Sequence, residues 1–95
     1  MIRMAAAAMV LALTGAGFAA EAPPGAAACS GCHPVGKSVA TTVPRLAGSD
    51  AGQIAVAMQE FRAGRRPATV MDRIAKGFTD DEIKAIAAWY AAQKD

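Results

Sequence analysis

Short helices joined by loops, about four of them, are what this chain predicts, which places it in the all-α class. Two capped amphipathic stretches and the lack of any strand pattern carry that expectation. Thr79 with Glu82 three residues on forms a capping box ahead of an apolar face made by Ile83, Ile86, Ala87 and Tyr90. Asp50 with Gln53 opens a second stretch, in which Ile54, Met58 and Phe61 fall at i, i+4 and i+7. Nowhere do apolar and polar residues alternate cleanly enough for a strand.

Taken in order, the elements begin with a leader. Met1-Ile2-Arg3 gives a positive start, an apolar run follows from Met4 to Ala12, and Gly15-Ala16-Gly17-Phe18-Ala19-Ala20 ends it in small residues. This matches a secretory signal peptide over residues 1–20, cleaved after Ala19 or Ala20. The uncharged stretch 4–20 is shorter than the ~20 apolar residues of a spanning helix, so no stable membrane insertion is expected after cleavage. Residues 21–95 then form one domain, small enough to need a staple beyond its own apolar core.

Pro23 and Pro24 stop any helix from extending backwards, and residues 26–32 read as a short Ala-rich helix ended by Pro34 and Gly36. Residues 38–44 carry β-branched side chains without alternation and end at a proline, so they read as loop. The helix opened by Asp50 is expected to stop at Gly64, a suitable C-terminal cap. A helical turn over residues 70–76 is stopped by Gly77, and the last helix runs to about Gln93, with Asp80 and Asp81 favouring its dipole and Trp89 at the border of its apolar face.

The chemistry is concentrated in Cys29-Ser30-Gly31-Cys32-His33, which uses both cysteines and the only histidine of the chain. C-x-x-C-H is the signature of covalent c-type haem attachment. Each thiol adds its sulfur and hydrogen across a haem vinyl group to leave a thioether, and the adjacent imidazole takes one axial position on iron. A structural zinc site would need a second ligand pair, and there is none. A redox dithiol belongs in a βαβ setting, which this sequence does not supply. A plain disulfide would close too short a loop to stabilise much, and would leave His33 unexplained. A covalently held porphyrin also provides the staple that the small domain needs. Attachment of this kind in bacteria takes place in the periplasm, which agrees with the leader.

With one histidine, bis-histidine ligation is impossible within the chain, and a methionine is the natural sixth ligand. Beyond the leader only Met58 and Met71 remain. Met58 shares a face with Ile54 and Phe61 and reads better as core filler. Met71 lies past the break at Gly64 and Pro67, where the chain can carry its thioether to the far side of the haem, and it is the preferred ligand. Two filled axial positions favour electron transfer over chemistry at iron.

Formal charge is only +2, and about +1 without Arg3. Its distribution is uneven: Arg62, Arg65, Arg66, Arg73 and Lys76 fall close together with Asp72 the single acid among them. That run is either a solvated face or a basic rim that orients docking on an acidic partner. Nucleic acid is disfavoured by the leader and by the lack of interleaved aromatics.

The order of Cys29-Ser30-Gly31-Cys32-His33, Val43-Pro44-Arg45-Leu46-Ala47-Gly48, Phe61-Arg62-Ala63-Gly64-Arg65-Arg66-Pro67 and Met71-Asp72-Arg73-Ile74-Ala75-Lys76-Gly77-Phe78 resembles class I cytochromes c. More narrowly, residues 71–78 and Ile86-Ala87-Ala88-Trp89-Tyr90-Ala91-Ala92-Gln93 are similar to the haem subunit of flavocytochrome c sulfide dehydrogenases. The resemblance implies the small class I fold, its helices wrapped around one haem c. It implies thioethers at Cys29 and Cys32, His33 and Met71 as iron ligands, and the Pro44 carbonyl as acceptor for the His33 ring. Leu46, Ile54, Phe61 and Ile74 are the apolar residues expected to line the haem pocket. The implied partner is a sulfide-oxidising flavoprotein subunit or another redox protein. Some relatives in that subfamily carry two haem domains, whereas this chain has one motif. A free-standing carrier unrelated to sulfide, or a sensor or peroxidase with a labile methionine, are the alternative roles.

Overall fold

The computed structural model describes residues 21–36 and 39–93; the leader assigned to residues 1–20 lies outside them. Four helices appear, and no strand is present among the described residues: α1 Ala26–Cys29, α2 Ala51–Arg62, α3 Met71–Ala75 and α4 Asp80–Ala91. The expected all-α architecture holds, with the two capped stretches as its long members.

Asp50 caps α2 by accepting from the Gln53 backbone N–H at 2.9 Å. At the other end Gly64 turns left-handed (φ 72°), and the bonds Arg65 N→Glu60 O (2.9 Å) and Gly64 N→Phe61 O (3.1 Å) close a Schellman motif. α4 starts with the full box: Glu82 N–H donates to the Thr79 hydroxyl at 3.2 Å, and Thr79 N–H donates to Glu82 Oε1 at 2.9 Å.

Three helices differ from expectation at their ends, α3 keeping Met71–Ala75 of the expected 70–76 with Val70 and Lys76 as its caps. The first helix stops at Cys29 rather than Cys32, because the next bonds tighten to i→i+3: Gly31 N→Ala28 O (3.3 Å) and Cys32 N→Cys29 O (3.1 Å). α4 ends at Ala91, and Gln93 N–H turns back to Tyr90 O at 3.1 Å. The ends of α1 and α4 are of the kind that sequence periodicity does not resolve.

Packing forms two adjoining clusters. Ala26, Ile54, Ile86, Ala87 and Tyr90 fill one, while Met58, Ala75 and Ile83 fill the other; Ala55 and Phe78 pack against both. α2 lies against α3 and α4. Arg62 secures the junction between the last two helices, donating from Nη1 to Phe78 O at 3.1 Å and pairing through Nη2 with Asp80.

α1 is a single turn with no side-chain cap and no acid in its first turn, so it has little stability of its own. Tertiary contacts hold it. Ala26 is fully buried, and Tyr90, also fully buried, donates its hydroxyl to Ala26 O at 2.6 Å. Ser30 lies 2.7 Å from the same oxygen and, with the phenolic proton already placed, is the donor there. Burial is the largest cause raising the Tyr90 pKa above the usual tyrosine value, so the phenol stays a neutral donor at physiological pH. Entry to α1 is set by Gly25, at φ 88°, whose missing Cβ leaves room for the Phe78 ring.

These contacts predict an order of stabilities in urea unfolding of the haem-bound protein. Gly64→Ala adds only left-handed strain in open space, costing about 1–2 kcal/mol. Gly25→Ala adds the same strain plus overlap with Phe78, about 1–3 kcal/mol more. Equal midpoints for the two variants would contradict this packing. Tyr90→Phe leaves the Ala26 carbonyl without its phenolic partner and is expected to cost about 1–3 kcal/mol; an unchanged midpoint would show that the clamp contributes nothing.

Candidate functional site

The C-x-x-C-H residues occupy the end of α1 and the turn beyond it. His33 N–H donates to Cys29 O at 2.7 Å, so the histidine is bound back onto the residue that carries the first thiol. Both cysteines are free thiols; Cys29 is half-buried and Cys32 exposed. Burial, the largest cause, raises the Cys29 thiol pKa, and nearby Cys32 adds to it, against a lowering backbone hydrogen bond. A nucleophilic redox cysteine needs the opposite shift. The all-helical setting does not supply the βαβ context of a thiol–disulfide oxidoreductase.

The imidazole of His33 is half-buried, and its Nδ1 lies 2.5 Å from the Pro44 carbonyl. A carbonyl can only accept, so Nδ1 carries the proton and, in the neutral ring, Nε2 keeps its lone pair. That is the tautomer of an imidazole prepared to bind a metal through Nε2. A second bond runs beside the first: Arg45 Nη2 donates to Val35 O at 2.6 Å. Together they tie His33 and Val35 to Pro44 and Arg45 and fix the ring relative to the chain ahead of α2. That chain is tied in turn to α4, since Gly48 N–H donates to Tyr90 O at 3.0 Å.

The remaining candidates separate into groups. Leu46 is half-buried beside the cluster of Ala26, Ile54 and Tyr90, and Ile54 is part of that cluster. Phe61 and Met71 pack against the other cluster, where Met58 is buried with Ala75 and Ile83. Met71 is the first residue of α3 and half-buried, whereas Ile74 on the same short helix is 41% exposed. The two methionines therefore differ in setting: Met58 is 9% exposed inside the core, and Met71 sits at its margin. Among the described residues no group of three or more His, Cys, Asp or Glu could hold a metal ion by itself. The donor set present is two reduced thiols, one correctly tautomeric imidazole and a thioether on a separate element, which suits a porphyrin-held iron.

Sequence reasoning missed Ser30, Tyr90 and Arg45 as the residues that brace the turn. Tyr90 was placed on the apolar face of α4, but its hydroxyl partners lie 60 and 64 residues away, and periodicity carries no sign of them.

No protein-family model matches the chain. Similarity to individual proteins is clear. The cytochrome subunit of sulfide dehydrogenase from Chlorobaculum tepidum is 33% identical, over 92% of this chain and 93% of that protein. Cytochrome c4 of Pseudomonas aeruginosa is 34% identical over 90% of the chain, which spans 45% of its length. The thiosulfate dehydrogenase electron acceptor of Stutzerimonas stutzeri is 41% identical over 70% of the chain, matching 32% of that protein. With a C-x-x-C-H turn, an all-helical fold and a relative matched over nearly its whole length, the chain belongs to the class I c-type cytochromes, electron carriers that hold haem c covalently.

Proposed function

We propose that this chain is an exported, periplasmic one-haem carrier, ligated by His33 and Met71, that accepts single electrons from a sulfide-oxidising flavoprotein. The observation that carries the ligand assignment is the 2.5 Å bond from His33 Nδ1 to Pro44 O, which leaves Nε2 for iron. Cys29 and Cys32 would hold the haem as thioethers. Haem c supplies a one-electron iron couple, and a methionine opposite histidine raises its potential. The chain's own residues orient the ring, keep Met71 at the core margin, and bury the turn's anchor at Tyr90. Leu46, Ile54, Phe61 and Ile74 would line the pocket; the exposure of Ile74 leaves an apolar surface for a haem face to cover.

Support for the donor comes from the sulfide dehydrogenase cytochrome subunit, which this chain matches almost end to end. The similarity to a thiosulfate dehydrogenase electron acceptor favours a second reading, the same carrier serving a different sulfur oxidation, but it covers only a third of that protein. Export is supported by the leader-like residues 1–20, and among the described residues no helix is long and apolar enough to cross a membrane.

Met71→Ala in the haem-bound protein is expected to abolish the methionine–iron charge-transfer band of the oxidised form and lower the potential, with Met58→Ala doing neither. A band that survives loss of Met71 would reject this ligand assignment. For the donor, sulfide should reduce the protein rapidly only when the flavoprotein of the same organism is added; rapid reduction by thiosulfate with its dehydrogenase instead would favour the second reading.

A further inference from the structure

The bond from the His33 ring to Pro44 lies near the surface. The ring is half-buried, but Pro44 is exposed. With Pro34, Val39, Thr41 and Arg45, Pro44 also lines a recess of about 480 Å³, which gives water room beside it. A hydrogen bond in such a place opens readily when its two segments are free to part, because water replaces the lost partner. It stays closed only if the segments are held together nearby.

Arg45 supplies that hold. Its Nη2 donates to Val35 O at 2.6 Å, one residue beyond Pro44 and two beyond His33, so the two bonds are neighbouring rungs between the same segments. The arginine rung is the better founded. Arg45 is half-buried, and its carbonyl accepts from the Ser49 hydroxyl at 3.0 Å. Val35 at one end of the rung, and Leu46 next to the other, pack against the cluster of Ala26, Ile54, Ile86, Ala87 and Tyr90. A charged donor also makes a stronger bond than a neutral imidazole does. The exposed rung thus leans on the one seated against the core.

We propose that Arg45 is a positioning residue for the iron: by holding Val35 it keeps the Pro44 carbonyl on His33 and water away from Nδ1. A ring that donates firmly from Nδ1 is the more basic ligand through Nε2, so Arg45 acts on the iron through other residues, without touching it. The proposal deepens the functional reading above and rests on His33 ligating iron.

The test is hydrogen–deuterium exchange of the His33 Nδ1 proton in the reduced haem-bound protein, followed by NMR. The Gly48 amide, bonded to Tyr90 O across the fold, is the internal reference. Arg45→Gln is expected to speed Nδ1 exchange about tenfold or more while Gly48 stays near wild type. Arg45→Lys is expected to return Nδ1 exchange close to wild type, because one N–H to Val35 O is all that the rung requires. Equal acceleration at both protons would mean a general loss of stability. An unchanged Nδ1 rate in Arg45→Gln would leave Arg45 at most a charge near the iron, whatever the potential does. Either result, or a lysine variant no slower than the glutamine one, overturns the proposal. If Arg45→Gln does not fold, the wild type is read in low urea: the Arg45 guanidinium protons and the Nδ1 proton should share one shallow dependence, and an Nδ1 dependence as steep as that of Gly48 would overturn the proposal. The His33 ring C–H protons report on the reading beneath it. Absence of strong upfield ring-current shifts would reject His33 as ligand, whereas their presence with indifferent Nδ1 exchange rejects only the role of Arg45.

Discussion

One buried phenol holds the working end of this protein in place. α1 is a single helical turn, too short to persist alone, and it carries the first cysteine of the attachment motif. Tyr90 reaches across from the last helix to bond Ala26 and Ser30, the residues that open α1 and follow its end. The same residue's carbonyl receives Gly48 N–H, so the chain ahead of α2 is fixed to the same residue. Packing of Tyr90 with Ile54, Ile86 and Ala87 sets where the phenol points. With Gly25 admitting Phe78, the start of α1 and the chain entering α4 meet beside the C-x-x-C-H turn.

From that frame the chemistry follows with few further parts. His33 is bonded back to Cys29 through its backbone and forward to Pro44 through its ring, so its orientation does not rely on the metal. Were this imidazole to ligate iron, its preset orientation would limit the structural change that accompanies a change of charge there, which suits an electron carrier.

Much of this was legible from the residues themselves. The caps at Asp50 and Thr79 are local chemistry, and the structure reproduces them with the bonds their side chains require. The C-x-x-C-H motif is equally local, since five adjacent residues bring all three donor groups together. The end of α1 was not legible, because the choice between i→i+4 and i→i+3 bonding past Cys29 depends on what Ser30 meets in space. Nor was the sorting of the basic run. Arg62 and Arg66 differ from Arg65 only in which carboxylates the fold brings near them, and Asp80 lies beyond an intervening helix. The partners of Tyr90 were hidden for the same reason: a long-range hydrogen bond leaves no period in the sequence.

Everything rests on the turn of residues 29–33 holding haem through both sulfurs. The most direct measurement is the intact mass of the exported protein under denaturing conditions, followed by mapping of the haem-bearing peptide. The account predicts one haem retained on a chain lacking its first nineteen or twenty residues, carried by the peptide that contains Cys29 and Cys32. A haem-free mass with two titratable thiols, from a host able to attach haem c, would contradict it.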